Sequence, residues 1–251
     1  MNPVLIPTSY GPSFWCPEND YVTKTITRGL KNSGYSNFLK YMKPNARVAC
    51  DVGANIGEIT WSLSTFCETV FAFEPVQDTF SLLSKNVVQN NIDNAIIMNV
   101  GIGARRETAK ISLSTNTCGA NARTENPTAN CQDMTIIPLD DLCIANLDII
   151  KIDVEGYELD VLIGGENTIV LDRPIIQLEV YEPALKRAKR DIQDIYDWLI
   201  ARDFVPYYVQ HRKIFRDGVS YTKIPRCIER FFVHSSIVVG NEVPKDVRIV
   251  N

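Results

Sequence analysis

Three short segments of this 251-residue chain carry acidic side chains where an apolar run gives way to a turn. They read Asp51-Val52-Gly53-Ala54-Asn55-Ile56-Gly57, Phe73-Glu74-Pro75 and Lys151-Ile152-Asp153-Val154-Glu155-Gly156. In the first, Gly53 and Gly57 let backbone approach a ligand closely and let a helix start tightly. Asn55 suits a helix N-cap or a left-handed turn. The dinucleotide fingerprint GxGxxG is absent, because Asn55 and Glu58 stand where its second and third glycines would fall. There is no GxxxxGK[ST] phosphate loop either. The ligand at this turn is therefore expected to lack a pyrophosphate. Asp51, entering the loop, suits a cationic group. Glu74, at the end of the next strand, is placed to accept the two hydroxyls of a ribose. A nucleoside with a positively charged tail and no diphosphate describes S-adenosylmethionine, with Asp51 at its amino or sulfonium end and Glu74 at its ribose.

In the third segment, strand alternation puts Lys151, Asp153 and Glu155 on one face. Charges on a central strand are costly to bury unless paired. Lys151 is expected to answer Asp51 or Glu179 in an internal network. Asp153 and Glu155 fall at the carboxyl end of the strand, where ligands dock. A further strand, Ile175 to Tyr181, brings Glu179 and Tyr181 towards the same rim.

The elements that must hold these residues follow from periodicity. Apolar strands are expected at 47–53, 70–73, 95–100, 148–154 and 174–181. Helices between them are marked by Ile59, Leu63 and Phe66, by Phe80, Leu83 and Val87, by Tyr157 to Leu171 with a Gly164-Gly165 break, and by Ile192, Ile195, Leu199 and Ile200. Strands alternating with helices imply a doubly wound, mostly parallel α/β sheet covered on both faces. Two more strands, 204–209 and 230–234, end it as a pair. Thr108 to Leu113 reads as a short antiparallel strand. Ser114 to Met134 is polar and aperiodic, either a lid or a disordered loop. Residues 1–44 read as an N-terminal extension, an extended arm followed by a helical stretch with breaks at Gly29 and Gly34 and a stop at Pro44. Residues 45–251 read as the main domain. Tyr10, Phe14, Trp15, Tyr21 and Tyr35 are candidates to stack on a sugar or to plug the sheet edge.

A net charge of −4 gives no general attraction to nucleic acid or an anionic membrane, and the basic cluster Lys186, Arg187, Lys189 and Arg190 reads as a solvated helix face. No leader pattern and no run of about 18 apolar residues is visible. The seven cysteines include no CxxC pair, and Cys50, Cys67, Cys143 and Cys227 sit in apolar surroundings. A reduced, cytoplasmic chain is expected. His211 and His234 have no Cys partner at finger spacing, so no metal site is expected.

The cofactor loop, Phe73-Glu74-Pro75, Leu139-Asp140-Asp141-Leu142, Lys151 to Glu158 and Pro174 to Glu179, in this order, resemble the FkbM-type family of S-adenosylmethionine-dependent methyltransferases. The resemblance spans about residues 46–181. It implies a Rossmann-like methyltransferase fold with a seven-stranded sheet and a final antiparallel strand, and O-methylation of a hydroxyl, often on a sugar or polyketide. It also implies that Asp51, Gly53, Asn55 and Gly57 form the cofactor loop, that Glu74 holds the ribose, and that Asp153 and Glu155 sit beside the methyl donor or acceptor. Many members carry His soon after the fifth-strand Glu; here Glu179 is followed by Val180-Tyr181-Glu182. Transfer to oxygen needs a base for the hydroxyl proton. Glu155 is the first candidate, then Asp153, with His234 outside them. Two alternatives stay open: Mg²⁺ held by Asp153, Glu155 and Glu179, and a non-catalytic nucleoside-binding module. A nicotinamide oxidoreductase is disfavoured by the missing GxGxxG.

Overall fold

The computed structural model describes residues 3–18, 20–27, 33–113, 122–124, 130–210, 213–217 and 227–237. The chain opens with a hairpin, β1 (Pro3–Pro7) and β2 (Ser13–Pro17), then α1 (Tyr21–Thr27) and α2 (Ser33–Met42). The core alternation follows: β3 (Val48–Val52), α3 (Glu58–Ser64), β4 (Thr69–Phe73), α4 (Gln77–Gln89) and β5 (Ala95–Met98). Four short strands come next: β6 (Gly101–Ile102), β7 (Glu107–Ser112), β8 (Ala122–Thr124) and β9 (Cys131–Ile137). Then come β10 (Leu147–Ile152), α5 (Glu158–Gly164), α6 (Glu166–Asp172), β11 (Ile175–Tyr181), α7 (Glu182–Ala188) and α8 (Ile192–Ile200). β12 (Phe204–Gln210), β13 (Lys213–Arg216) and β14 (Cys227–His234) complete the described elements.

The main sheet has the order β13-β12-β14-β11-β10-β3-β4-β5 among the described residues. The five strands from β11 to β5 are mutually parallel; β14 lies antiparallel between β11 and β12, so β12 keeps the direction of the five, and β13 runs antiparallel to β12. This is an eight-stranded sheet rather than the seven strands expected. The additional strand is β13, which folds back on β12, buries Ile214 and stacks Phe215 on Tyr208. Four residues are too few to show a period in sequence. The central strands are apolar on both faces because helices cover both: Ile150, Ile152, Ile176 and Leu178 pack with α5 and α8, and Ile149 and Ile175 pack with α3 and α2.

Three expectations are corrected. The polar stretch from 114 onward is not simply a loop: β8 and β9 join β7 and β6 in a second sheet of order β6-β9-β7-β8. Residues 114–121 and 125–129, where a lid or a disordered loop was expected, lie outside the described residues. Gly34 does not break the chain but lies inside α2; Phe38 and Leu39 of that helix are buried, and tertiary packing outweighs the ~1 kcal/mol helix preference lost at glycine. Gly29 falls outside the described residues. The first residues are a hairpin, not a plain arm. Phe14 and Cys16 are buried against Ile56 and Leu82, and Asn86 of α4 and Asn90, which caps its C-terminus, bond the backbone of Trp15 and Ser13. Phe14 is thus a core residue, and Tyr10 donates a 2.8 Å hydrogen bond to Glu58. The side chains of Tyr21, Tyr35 and Cys227 are outside the described ones. Cys143 is exposed, at the end of a 3-10 turn after Leu139–Leu142, whereas Cys50 and Cys67 are buried as expected.

Candidate active site

The turn after β3 is held open by three residues with positive φ: Gly53 (80°), Asn55 (52°) and Gly57 (93°). Gly57 caps α3, and a Cβ there would lie 2.6 Å from Leu83 Cδ1. Gly53 and Ala54 donate their amides to the Phe73 carbonyl, at 3.0 and 2.9 Å, which fixes the turn against the end of β4. Glu74 completes the tie. Its Oε2 accepts the Asn55 amide at 3.0 Å and its Oε1 accepts the Val76 amide at 2.9 Å. Burial pushes the Glu74 carboxyl up to about 7, against the opposing pull of these two amides.

Lys151 anchors the turn from below. Its Nζ donates to the Gly53 carbonyl at 3.0 Å and lies 3.5 Å from Asp51 Oδ1 and 3.4 Å from Asp153 Oδ2. Burial works against its charge, but Asp153, then Asp51, then Glu179 outweigh it and hold the ammonium protonated. The internal charge network expected of Lys151 is therefore present. Asp51 is fully buried, accepts a 2.7 Å hydrogen bond from Thr60, and does not reach the cavity wall. It supports the loop from behind instead of facing a ligand, a correction that follows from its pairing with Lys151.

Strand alternation ends at Ile152, so the expectation that Glu155 continues one face of the strand is also corrected. Glu155 and Gly156 form a left-handed turn, with φ of 55° and 104°. The hydrogen bond that closes this turn comes from Glu158, whose Oε1 accepts the Gly156 amide at 3.0 Å. Glu155 instead lies 3.3 Å from Arg187 Nη2, on α7. Burial and Asp153 raise its carboxyl, Arg187 pulls it down, and the result is about 7.

Both acids open onto one cavity at the carboxyl ends of β3, β4 and β10, with an empty volume of about 840 Å³ out to its mouth. Gly53, Asn55 and Glu74 stand at one side, Asp153, Glu155 and Tyr157 at another, and Ile111, Arg123 and Met134 of the small sheet form the roof. Sequence reasoning missed Arg123, which lies in an aperiodic stretch with no signal. It gave Tyr157 no role, although Tyr157 directly follows the third acidic segment. Glu179 faces Glu229 across the β11–β14 pair, and Gln177 donates to Glu229. Burial and the Glu179 charge raise Glu229 to about 8. His234 pairs with Phe204 at the far end of β14, opposite the cavity, and bonds Ser236; it is not placed to serve as base there. His211 is outside the described residues. Asp153 turns to Lys151 and Glu155 to Arg187, and no group of three His, Cys, Asp or Glu side chains among the described residues is arranged to hold a metal ion. Nor is any helix among them long and apolar enough to cross a membrane.

A doubly wound sheet, with an open turn after its first core strand and a buried acid after the next, is the architecture of a nucleoside-cofactor enzyme. Residues 51–206 match the methyltransferase FkbM domain, and the chain belongs to that family. It is 32% identical over 126 residues to the hexuronic acid methyltransferase AglP of Haloferax volcanii, covering 49% of this chain and 51% of that protein. It is 27% identical over 165 residues to methyltransferase 1 of Beauveria bassiana, covering 54% and 66%. The matches thus span between half and two thirds of these relatives. The fold is similar to the crystal structure of methyltransferase FkbM from Methylobacillus flagellatus KT, with a TM-score of 0.51 at 16% identity over 76% of this chain and 44% of that one.

The cofactor is S-adenosylmethionine, and the residues present fit it. The buried Glu74 carboxylate at the cavity wall matches a ribose. The apolar wall of Pro75, Val76 and Ile102 matches a purine. The acid Asp153 matches a cationic tail.

Proposed function

We propose that the protein methylates a hydroxyl oxygen of a sugar or glycan. The observation that carries this reading is that Glu74 and Glu155 line one and the same cavity. Gly53, Asn55 and Glu74 would hold the nucleoside, with Pro75, Val76 and Ile102 against the base. When bound, the cofactor supplies a methyl carbon made electrophilic by its positive sulfur. The chain's own residues do the rest. Glu155 takes the acceptor's hydroxyl proton at its carboxylate, and a value near 7 is close to the optimum for a base at neutral pH. Asp153, 3.4 Å from Lys151 Nζ, would stand next to the cationic tail. The small sheet excludes water and confines the acceptor, and such positioning contributes roughly 7–11 kcal/mol in favourable cases. The sugar rests on the relative named as a hexuronic acid methyltransferase and on the Tyr157 ring at the wall.

The test is incubation of the purified protein with methyl-labelled S-adenosylmethionine and a panel of glycans, read by mass spectrometry and linkage analysis. The expected product gains one methyl on a sugar oxygen. Label found only on nitrogen or carbon acceptors would overturn the reading.

A further inference from the structure

The cavity is electrically polarised. Glu74 lines it just after β4, Asp153 and Glu155 just after β10, and Asp160 from α5. Its roof carries Arg123, the one cation among the described residues that line it. These acids suit a cationic donor; the guanidinium, carried by the small sheet, serves some other group.

Three residues define that roof charge. Glu107 lies 2.7 Å from Arg123 Nη1 and 3.2 Å from Arg105 Nη2. Burial raises the Glu107 carboxyl, but the hydrogen bonds and charges of Arg123 and then Arg105 outweigh it and hold it below the usual carboxylate range. It stays ionised, so two guanidiniums share one carboxylate and the trio carries one positive charge. The other arginines near the mouth differ: Arg187 is matched to Glu155 and Arg190 to Asp160, one to one. Arg123 is also held in place, with its guanidinium 5.3 Å over the Tyr157 ring. Glu107 bonds it through one terminal nitrogen, and a guanidinium carries further N–H donors on its second terminal nitrogen and Nε. That fork fits a carboxylate or a phosphate group.

We propose that the acceptor carries an anionic group, a carboxylate or a phosphate, and that Arg123 binds it, with Arg105 adding to the field. The inference rests on the reading of this cavity as a sugar methylation site and specifies the class of sugar. The acceptor then spans the cavity, its anion at the roof and its reacting hydroxyl near Glu155.

The test is calorimetry on the full chain loaded with S-adenosylhomocysteine, with four probes: methyl glucuronide, methyl glucoside, glucose 6-phosphate and inorganic phosphate. One of the charged sugars is expected to bind at least roughly tenfold tighter than the glucoside, the scale of one hydrogen-bonded charge. Which one binds names the anion. Arg123→Met should remove the preference and Arg123→Lys should keep part of it, with S-adenosylhomocysteine affinity unchanged in both. Equal affinity for all probes, or a preference that survives Arg123→Met, overturns the proposal. So does a tenfold loss of S-adenosylhomocysteine affinity in Arg123→Met, since Arg123 would then hold the donor's carboxylate. A glucoside methylated as readily as the glucuronide would leave the glycan reading standing and remove this one. Arg123-dependent binding of inorganic phosphate without either charged sugar would keep the anion site and remove the sugar.

Discussion

A side chain on Gly53 would place its Cβ 1.9 Å from the carbonyl oxygen of Asp153. The turn after β3 and the end of β10 therefore touch through backbone, and Gly53 is required by the protein itself before any ligand arrives. Its φ of 80° adds a second reason.

Gly53→Val should accordingly lower stability as well as donor binding. A non-glycine residue in the left-handed region costs about 1–2 kcal/mol, and the clash with Asp153 adds to it. Each kcal/mol is roughly 2–4 °C in Tm for a chain of this size. Thermal unfolding with and without S-adenosylhomocysteine checks this. A variant with unchanged Tm but no binding would show that the glycine serves only the ligand.

Lys151→Met leaves Asp51 and Asp153 facing each other without their shared cation. Removing one partner of a buried pair costs roughly 3–5 kcal/mol. Denaturant unfolding should show a loss of that order, and adding Asp51→Asn should recover part of it. Full additivity of the two changes would mean that the pair does not interact.

Four carboxyls titrate upward from 4.5: Glu74, Glu155 and Glu158 to about 7, and Glu229 to about 8. Burial is the first cause in each. Between 4.5 and those values the folded protein binds more protons than the unfolded chain, so stability falls as pH rises through this window. Tm scans across it should show the fall in the ligand-free protein. Glu158→Gln, which keeps the Gly156 hydrogen bond, should flatten the slope; an unchanged slope would remove Glu158 from the account.

Glu155→Gln keeps shape but cannot take a proton. Single-turnover transfer should slow by roughly 10²–10⁴-fold while donor affinity changes little. A normal rate would leave the proton to another group.

Much of this site was legible in sequence because it sits on regular elements. The apolar runs around Cys50, Phe71, Ile150 and Ile176 could only be buried parallel strands, and the acids at their carboxyl ends followed. What escaped was set by tertiary contact. Asp51 turns inward because Lys151 lies across the strand pair, and Glu155 leaves the strand because two residues adopt a left-handed turn. β8 and β13 are too short to show a period, so Arg123 could not be placed. His234 looked available only until β14 proved antiparallel, which carried it to the opposite end of the sheet.

The account depends most on Glu74, and calorimetric titration of S-adenosylhomocysteine into wild type and Glu74→Ala near neutral pH tests it most directly. Hydrogen bonds to a charged group contribute about 1.5–3 kcal/mol each. The wild type should bind, NAD should not, and folded Glu74→Ala should bind at least roughly tenfold more weakly. A folded Glu74→Ala protein with wild-type affinity would contradict the placement of the nucleoside in this cavity.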